Sequence, residues 1–333
     1  MNISFSLKKQ HKLKIPNSII IIFIIITIGT LYQKIMVNKE DKLYKPPGKL
    51  IEVFDHKMHV YSEGSGSPTV IFTVGSGTPS AYTDYYFIQK EISKIARTVA
   101  YDRLGYGWSE ATTVPRTIDQ QVNELHELLS KAGEKPLYVL VGHSLSSLEV
   151  IRYAQMFPKE VAGILLIDGG NPTYYADFNE GSSIVISYLL EGLRKCGFMR
   201  ILGNAGIMTP MLAENKRSKL LPDTLSKIDK ALFYKTLSNK TNRGALKNIN
   251  ENARTVIDSG TLGDTPLIIL TAEQDKVNRA ISKWSESQQE LKRWSSNSKQ
   301  EEIEGASHYI HWDKSEIVIE RIRELISSVD KEN

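Results

Sequence analysis

The stretch Leu137-Tyr-Val-Leu-Val-Gly-His-Ser-Leu-Ser146, continued by Ser147-Leu-Glu-Val-Ile-Arg-Tyr-Ala154, decides how this chain folds. Aliphatic and β-branched residues run up to Gly142, the pattern of a buried strand. After Ser144 the apolar positions Leu145, Leu148, Ile151 and Ala154 follow helical spacing, and Pro158 closes the element. A serine between strand and helix sits on a sharp turn, its hydroxyl raised above the sheet edge. The helix N-terminus behind it supplies N–H donors and a field that favours negative charge. The pattern G-x-S-x-G is met at Gly142 and Ser144 but not at its last position, where Ser146 stands for glycine. Serine is the next smallest option that keeps a polar atom. Serine is also a common helix cap, so the pentapeptide alone does not assign chemistry.

Working outward, short apolar runs alternate with amphipathic helical segments. Leu50 to Ser62 reads as an opening hairpin, Thr69 to Val74 and Thr98 to Tyr101 as strands, and Asp84 to Ile95 as a helix. Thr117 caps a helix with apolar positions Ile118, Val122, Leu125, Leu128 and Leu129 that ends at Gly133. Val161 to Ile167 is again a strand, ending at Asp168. From about 169 to 263 helical stretches dominate and strand signals vanish, which predicts an inserted helical cap. Pro266 to Thr271 and Gln300 to Ile303 return to strand, with helices at Ile281 to Trp294 and Ser315 to Val329. The expected class is therefore α/β, a mostly parallel sheet flanked by helices and interrupted by a cap.

The N-terminal region is of a different kind. Residues 1–14 are a basic tail, and 15–37 form an apolar, isoleucine-rich span close to the roughly 20 residues that a membrane helix needs. Residues 38–49 are charged, contain Pro46-Pro47-Gly48, and read as a linker to a domain at 50–333. Basic residues ahead of the span predict a single-pass anchor with a cytoplasmic N-terminus and an extracytoplasmic domain. A cleaved signal peptide is the rival reading, although no small-x-small site follows the span.

Charge is nearly balanced, 42 Lys+Arg against 38 Asp+Glu, with much of the excess in the basic tail, so no nucleic-acid footprint is expected. Cys196 stands alone, which excludes an intramolecular disulfide and a cysteine metal cluster. The seven histidines lack ligand spacing and H-E-x-x-H is absent, so neither metal nor cofactor is expected. His56 and His59 read as surface residues. His143 is expected to pack beneath the turn that carries Ser144.

Taken together, several motifs resemble the α/β-hydrolase fold superfamily over roughly residues 50–170 and 264–330. Asp102-Arg103-Leu-Gly105-Tyr-Gly107-Trp-Ser109 is similar to its D-R-x-G-x-G-x-S loop, and Gly142-His-Ser144-Leu-Ser146 to its nucleophile elbow. Pro158 to Asp168 is similar to the strand that follows, and Gly305-Ala-Ser-His308 to its terminal histidine loop. The resemblance implies Ser144 as nucleophile and His308 as general base, in the chain order Ser, acid, His. It implies Asp275 as the acid, beyond the strand Leu267 to Leu270, with Asp168 and Glu273 as alternatives. His311 competes with His308 and reads as surface or cap-facing. The oxyanion hole would use the backbone N–H groups of Leu145 and Ser76, each such donor contributing roughly 3 kcal/mol. In the loop Val74-Gly75-Ser76-Gly77 the superfamily's usual histidine is missing. Asp102 and Arg103 are expected to form structural hydrogen bonds.

These readings converge on an expected membrane-anchored serine hydrolase that cleaves a carboxylic ester, or a related acyl bond, of a small substrate. A ligand-sensing protein of the same fold and an acyltransferase remain alternatives.

Overall fold

The computed structural model describes residues 16–206, 217, 219–273 and 279–332. An eight-stranded sheet forms the centre, in the order β1-β2-β4-β3-β5-β6-β7-β8. Its strands are β1 (Lys49–Val53), β2 (His56–Glu63), β3 (Thr69–Thr73), β4 (Arg97–Asp102), β5 (Tyr138–His143), β6 (Val161–Ile167), β7 (Leu267–Ala272) and β8 (Ser298–Ile303). The opening hairpin pairs antiparallel, and from β4 to β8 every pairing is parallel. β3 leads to β4 on one side and β5 leads to β6 on the other, so the strand order reverses between the neighbours β3 and β5. That reversal opens a crevice at the carboxyl ends of β3 and β5, where α/β sheets bind ligands.

The side-chain period of two sorts the strand residues into two cores. Ile71, Val99, Leu140, Ile164, Leu166 and Ile269 face one way, against α4 (Ile118–Ala132) and α5 (Ser147–Met156). Val70, Phe72, Val139, Val141, Leu165 and Ile167 face the other. They meet Ile88 and Ile92 of α3 (Tyr86–Ile92) and Val318, Ile322 and Leu325 of α14 (Ser315–Glu332). Because both faces are covered, the central strands are continuous apolar runs rather than alternating ones. α4 shows why its ends fall where they do. Thr117 accepts the Gln120 N–H at the start, and Gly133 takes φ 79° at the end.

Between β6 and β7 lies a helical cap. It comprises α6 (Pro172–Ala176), α7 (Glu180–Lys195), α8 (Phe198–Asn204), α9 (Asp223–Thr236), α10 (Lys240–Lys247) and α11 (Ile249–Asp258). α10 and α11 are divided at Asn248.

Among the described residues, α1 (Asn17–Leu43) is the one helix long and apolar enough to cross a membrane. It continues through residues 38–43, where composition predicts a linker. The reason is visible in its partners: Glu40 pairs with Arg200 (Nη2–Oε2 2.7 Å) and Asp41 with Lys235 (2.8 Å), both on the cap. Buried Gln33 donates to the Tyr234 carbonyl (2.7 Å) and accepts from Arg200 Nε (2.9 Å). The short segment after the helix is also held, since Trp108 Nε1–H donates to the Tyr44 carbonyl (3.0 Å).

Candidate active site

Ser144 lies at the carboxyl end of β5 with φ 54°, a left-handed conformation that costs a non-glycine residue energy. Ser146 supplies local compensation. Fully buried, its Oγ accepts the His143 N–H (2.8 Å) and donates to the His143 carbonyl (2.8 Å). The residue that breaks the glycine pattern therefore uses its polar atom to close the turn. A glycine could not make either bond.

The loop after β3 comes close on one side. A Cβ on Gly75 would stand 3.0 Å from Ser144 Cβ and 2.9 Å from His143 Nδ1, so only glycine fits without displacement. Arg103 fixes this loop by donating to the Val74 carbonyl (2.5 Å) while pairing with Glu149 (3.3 Å). Ser76 follows as an exposed residue, and Leu145, half-buried, opens the turn after Ser144. Leu145 follows Ser144 in the chain, and Ser76 follows Gly75, the residue packed against Ser144. Asp102 is structural, accepting from Ala81 N–H (2.9 Å) and from His59 Nδ1 (2.7 Å). His59, read as a surface histidine, is fully buried against it.

From the far side comes His308. Its Nδ1 lies 2.5 Å from Asp168 Oδ2. A carboxylate can only accept, so the Nδ1–H donates, and in the neutral ring the lone pair sits on Nε2 at the other edge. Asp168 is completely buried at the end of β6, with φ 41°. Two more donors hold it, Ala272 N–H on Oδ1 (3.0 Å) and Trp284 Nε1–H on Oδ2 (3.1 Å). Trp284 belongs to α12 (Arg279–Glu290). The carboxylate set against His308 is thus Asp168, whereas Asp275, preferred from sequence, lies outside the described residues. Glu273, the third alternative, points elsewhere: it accepts the Gly305 N–H (2.8 Å) and so ties down the loop that delivers His308.

Beneath the turn sits a buried polar network. His143 Nε2–H donates to the His308 carbonyl (3.0 Å), which locks the His308 backbone to the residue before Ser144. Burial, and next the proximity of His311 and His308, hold the His143 imidazole well below its ordinary pKa, so it stays neutral. His311 lies in α13 (Ile310–Asp313); it is buried rather than surface or cap-facing, with Nε2–H donating to Asp84 Oδ2 (3.1 Å). Asp84 also accepts from Trp312 Nε1 (3.0 Å) and Arg217 Nη1 (3.1 Å). Burial opposes the Asp84 carboxylate, yet His311, Arg217 and His143 together hold it below the usual carboxylate range. Asp84, His143 and His311 each offer a ligand atom within 4.8 Å of the others. The Arg217 guanidinium on Asp84 places a fixed positive charge beside that point, which disfavours a cation there.

One contact was not foreseen from sequence. The Tyr175 hydroxyl, on α6, lies beside the Ser144 side chain, and burial pushes its phenol well up, keeping it neutral. Its ring lies over Gly170, where any Cβ would come within 2.2 Å of a ring carbon. The signal in sequence is the pair Gly169-Gly170 directly after Asp168. An open pocket of about 590 Å³ lies beside this region, lined by Tyr174, Phe178, Lys283 and Ser287 among others.

Sheet, elbow, buried acid and terminal histidine loop together define the class: the chain belongs to the α/β-hydrolase fold superfamily, whose sequence profile matches residues 68–195. Among particular proteins, it is 32% identical over 249 residues to the uncharacterized protein YbdG of Bacillus subtilis (strain 168), covering 74% of this chain and 75% of that one. A (lyso)-N-acylphosphatidylethanolamine lipase of Mus musculus is 24% identical over 251 residues, 69% of this chain and 71% of the lipase. An enol-lactonase from Burkholderia xenovorans LB400 superposes with a TM-score of 0.63 at 16% identity, covering 84% of this chain and all of the lactonase, a likeness of fold.

Proposed function

We propose that this protein is a membrane-anchored serine hydrolase that cleaves a carboxylic ester through an acyl-enzyme, with Ser144, His308 and Asp168 as its triad. The observation that carries this reading is the 2.5 Å contact from His308 Nδ1 to buried Asp168, on the same sheet edge as the strained Ser144 turn. In the proposed sequence, His308 Nε2 takes the Ser144 hydroxyl proton as Oγ bonds to the acyl carbon. The oxyanion so formed is held by the N–H groups of Leu145 and Ser76. Collapse breaks the bond to the leaving alcohol, which receives the proton from His308. Water, losing a proton to the same nitrogen, then attacks the acyl carbon; collapse breaks the bond to Oγ, which takes that proton back from His308, and the acid leaves. Asp168 holds the ring in that tautomer and stabilises the imidazolium.

The neighbouring functions agree in kind: the Mus musculus relative is named as a lipase acting on an acylated phospholipid. Serine at the elbow suits acyl transfer to a hydroxyl rather than the aspartate chemistry of an epoxide hydrolase. The anchor is α1, with the N-terminus cytoplasmic and the catalytic domain outside.

The test is hydrolysis of a nitrophenyl ester series of increasing chain length by the full-length protein in detergent. Turnover that disappears in Ser144→Ala supports the enzyme. No turnover with any ester, together with retained binding of an ester analogue, would favour the ligand-sensing alternative. Product diverted onto an added alcohol in preference to water would make it an acyltransferase.

A further inference from the structure

We infer that the outer face of α7 and α8 is a membrane-seated surface, immersed in the leaflet that α1 enters on the catalytic-domain side. This rests on the reading of α1 as an anchor and adds a second, independent contact with lipid. The two helices, consecutive in the chain and packed together, each expose large apolar side chains: Val185 (68% exposed), Ile186 and Leu189 (61%) on α7, and Phe198 and Ile201 on α8. Isolated exposed apolar residues are ordinary on a soluble surface; five on two neighbouring helices are not.

What covers this face is indicated by its junction with α1. The backbones of Gly29 and of Cys196-Gly197 touch, so closely that a Cβ on Gly29 would stand 2.2 Å from the Cys196 carbonyl oxygen. Gly29 lies inside the apolar span, five positions before Lys34, the first charge after it. At 1.5 Å per residue, that places the junction about 7.5 Å inside the level of that charge. A cap docked there cannot stand clear of the bilayer if α1 crosses it. Interfacial helices bury their apolar faces by about 5–10 Å, which matches this depth. Tyr188 flanks the apolar stripe with its ring under the Arg243 guanidinium (4.0 Å) and near Lys247 Nζ (5.9 Å). An amphipathic ring edged by cations is what the headgroup layer favours.

The experiment uses the full-length chain with Cys196→Ser, carrying one cysteine at a time at Leu189, at Ile24 in the anchor, or at exposed Lys159 ahead of β6. Each is labelled with nitrobenzoxadiazole and reconstituted into phosphatidylcholine–phosphatidylglycerol vesicles containing nitroxide-labelled lipid. The expected result is strong quenching at 24 by deep nitroxides and at 189 by shallow ones, with 159 unquenched. Quenching at 24 but not at 189 would overturn the inference and leave the anchor standing. No quenching at either would remove both. A 189 label shielded from aqueous iodide yet untouched by lipid nitroxide would mean that a protein covers the face, and would equally overturn the inference.

Discussion

Asp168→Asn is the change most informative about the site. The carboxylate is fully buried and accepts from three donors, His308 Nδ1, Trp284 Nε1 and the Ala272 amide. Asparagine keeps the volume but has one acceptor oxygen in place of two. If that oxygen stays with Ala272, an NH₂ group faces His308 Nδ1, which must then accept. The ring proton moves to Nε2, and the base has no lone pair to offer Ser144. The equivalent change in a serine protease lowers kcat by about 10⁴-fold, or about 5.4 kcal/mol, and the same tautomer argument applies here. The assay is kcat and KM for a short nitrophenyl ester, measured on full-length protein alongside Asp275→Asn. The expected outcome is a loss on the order of 10³–10⁴ in kcat for Asp168→Asn, with little change in KM. For Asp275→Asn we expect a change of no more than about threefold, within the range of substitutions away from a site. If Asp168→Asn kept activity within about tenfold while Asp275→Asn lost it, the tautomer argument for Asp168 would be refuted.

Three further outcomes are expected. Ser146→Gly, which restores the superfamily's usual residue, removes both hydrogen bonds to His143 and should destabilise the fold by about 1–3 kcal/mol in urea titration, as the loss of two ordinary hydrogen bonds would. Tyr175→Phe deletes the hydroxyl beside the Ser144 side chain and should lower kcat/KM about 5- to 30-fold without loss of secondary structure; an unchanged pH–rate profile would agree with a positioning role. Asp84 holds its carboxylate more tightly folded than unfolded, so the unfolded chain takes up more protons as pH falls. Stability should therefore decline as pH falls through and below the ordinary carboxylate range, and Asp84→Asn should flatten that slope in melts taken between about pH 2 and 5 while losing stability at neutral pH.

The framework was legible because it is local. Strand runs such as Val139-Leu-Val141, the Thr117 cap and the Gly133 stop each follow from a few neighbouring residues. Ser144 and His308 were legible for a related reason: the turn before a helix and the loop after the last strand carry their own short patterns. The partner of His308 was harder. Two acids end neighbouring strands, and which carboxylate meets the imidazole depends on how β6, β7 and α12 stack, information spread over more than a hundred residues. His59 and His311 illustrate the same limit. Sequence periodicity does not show that Asp102 and Asp84 wait in the core to receive them. Residues 38–43 misled by composition. Lys39, Glu40 and Lys42 suit a linker, but they are also good helix formers, and pairing with Arg200 and Lys235 on the cap decides in favour of helix.

The central claim, that Ser144 is a nucleophile activated by His308, is tested most directly by treating the full-length protein with a fluorophosphonate and mapping the adduct by mass spectrometry. The account predicts one phosphonyl group on the peptide containing Ser144, absent in Ser144→Ala and strongly slowed in His308→Ala. An unmodified Ser144, or labelling that proceeds at the same rate without His308, would contradict it.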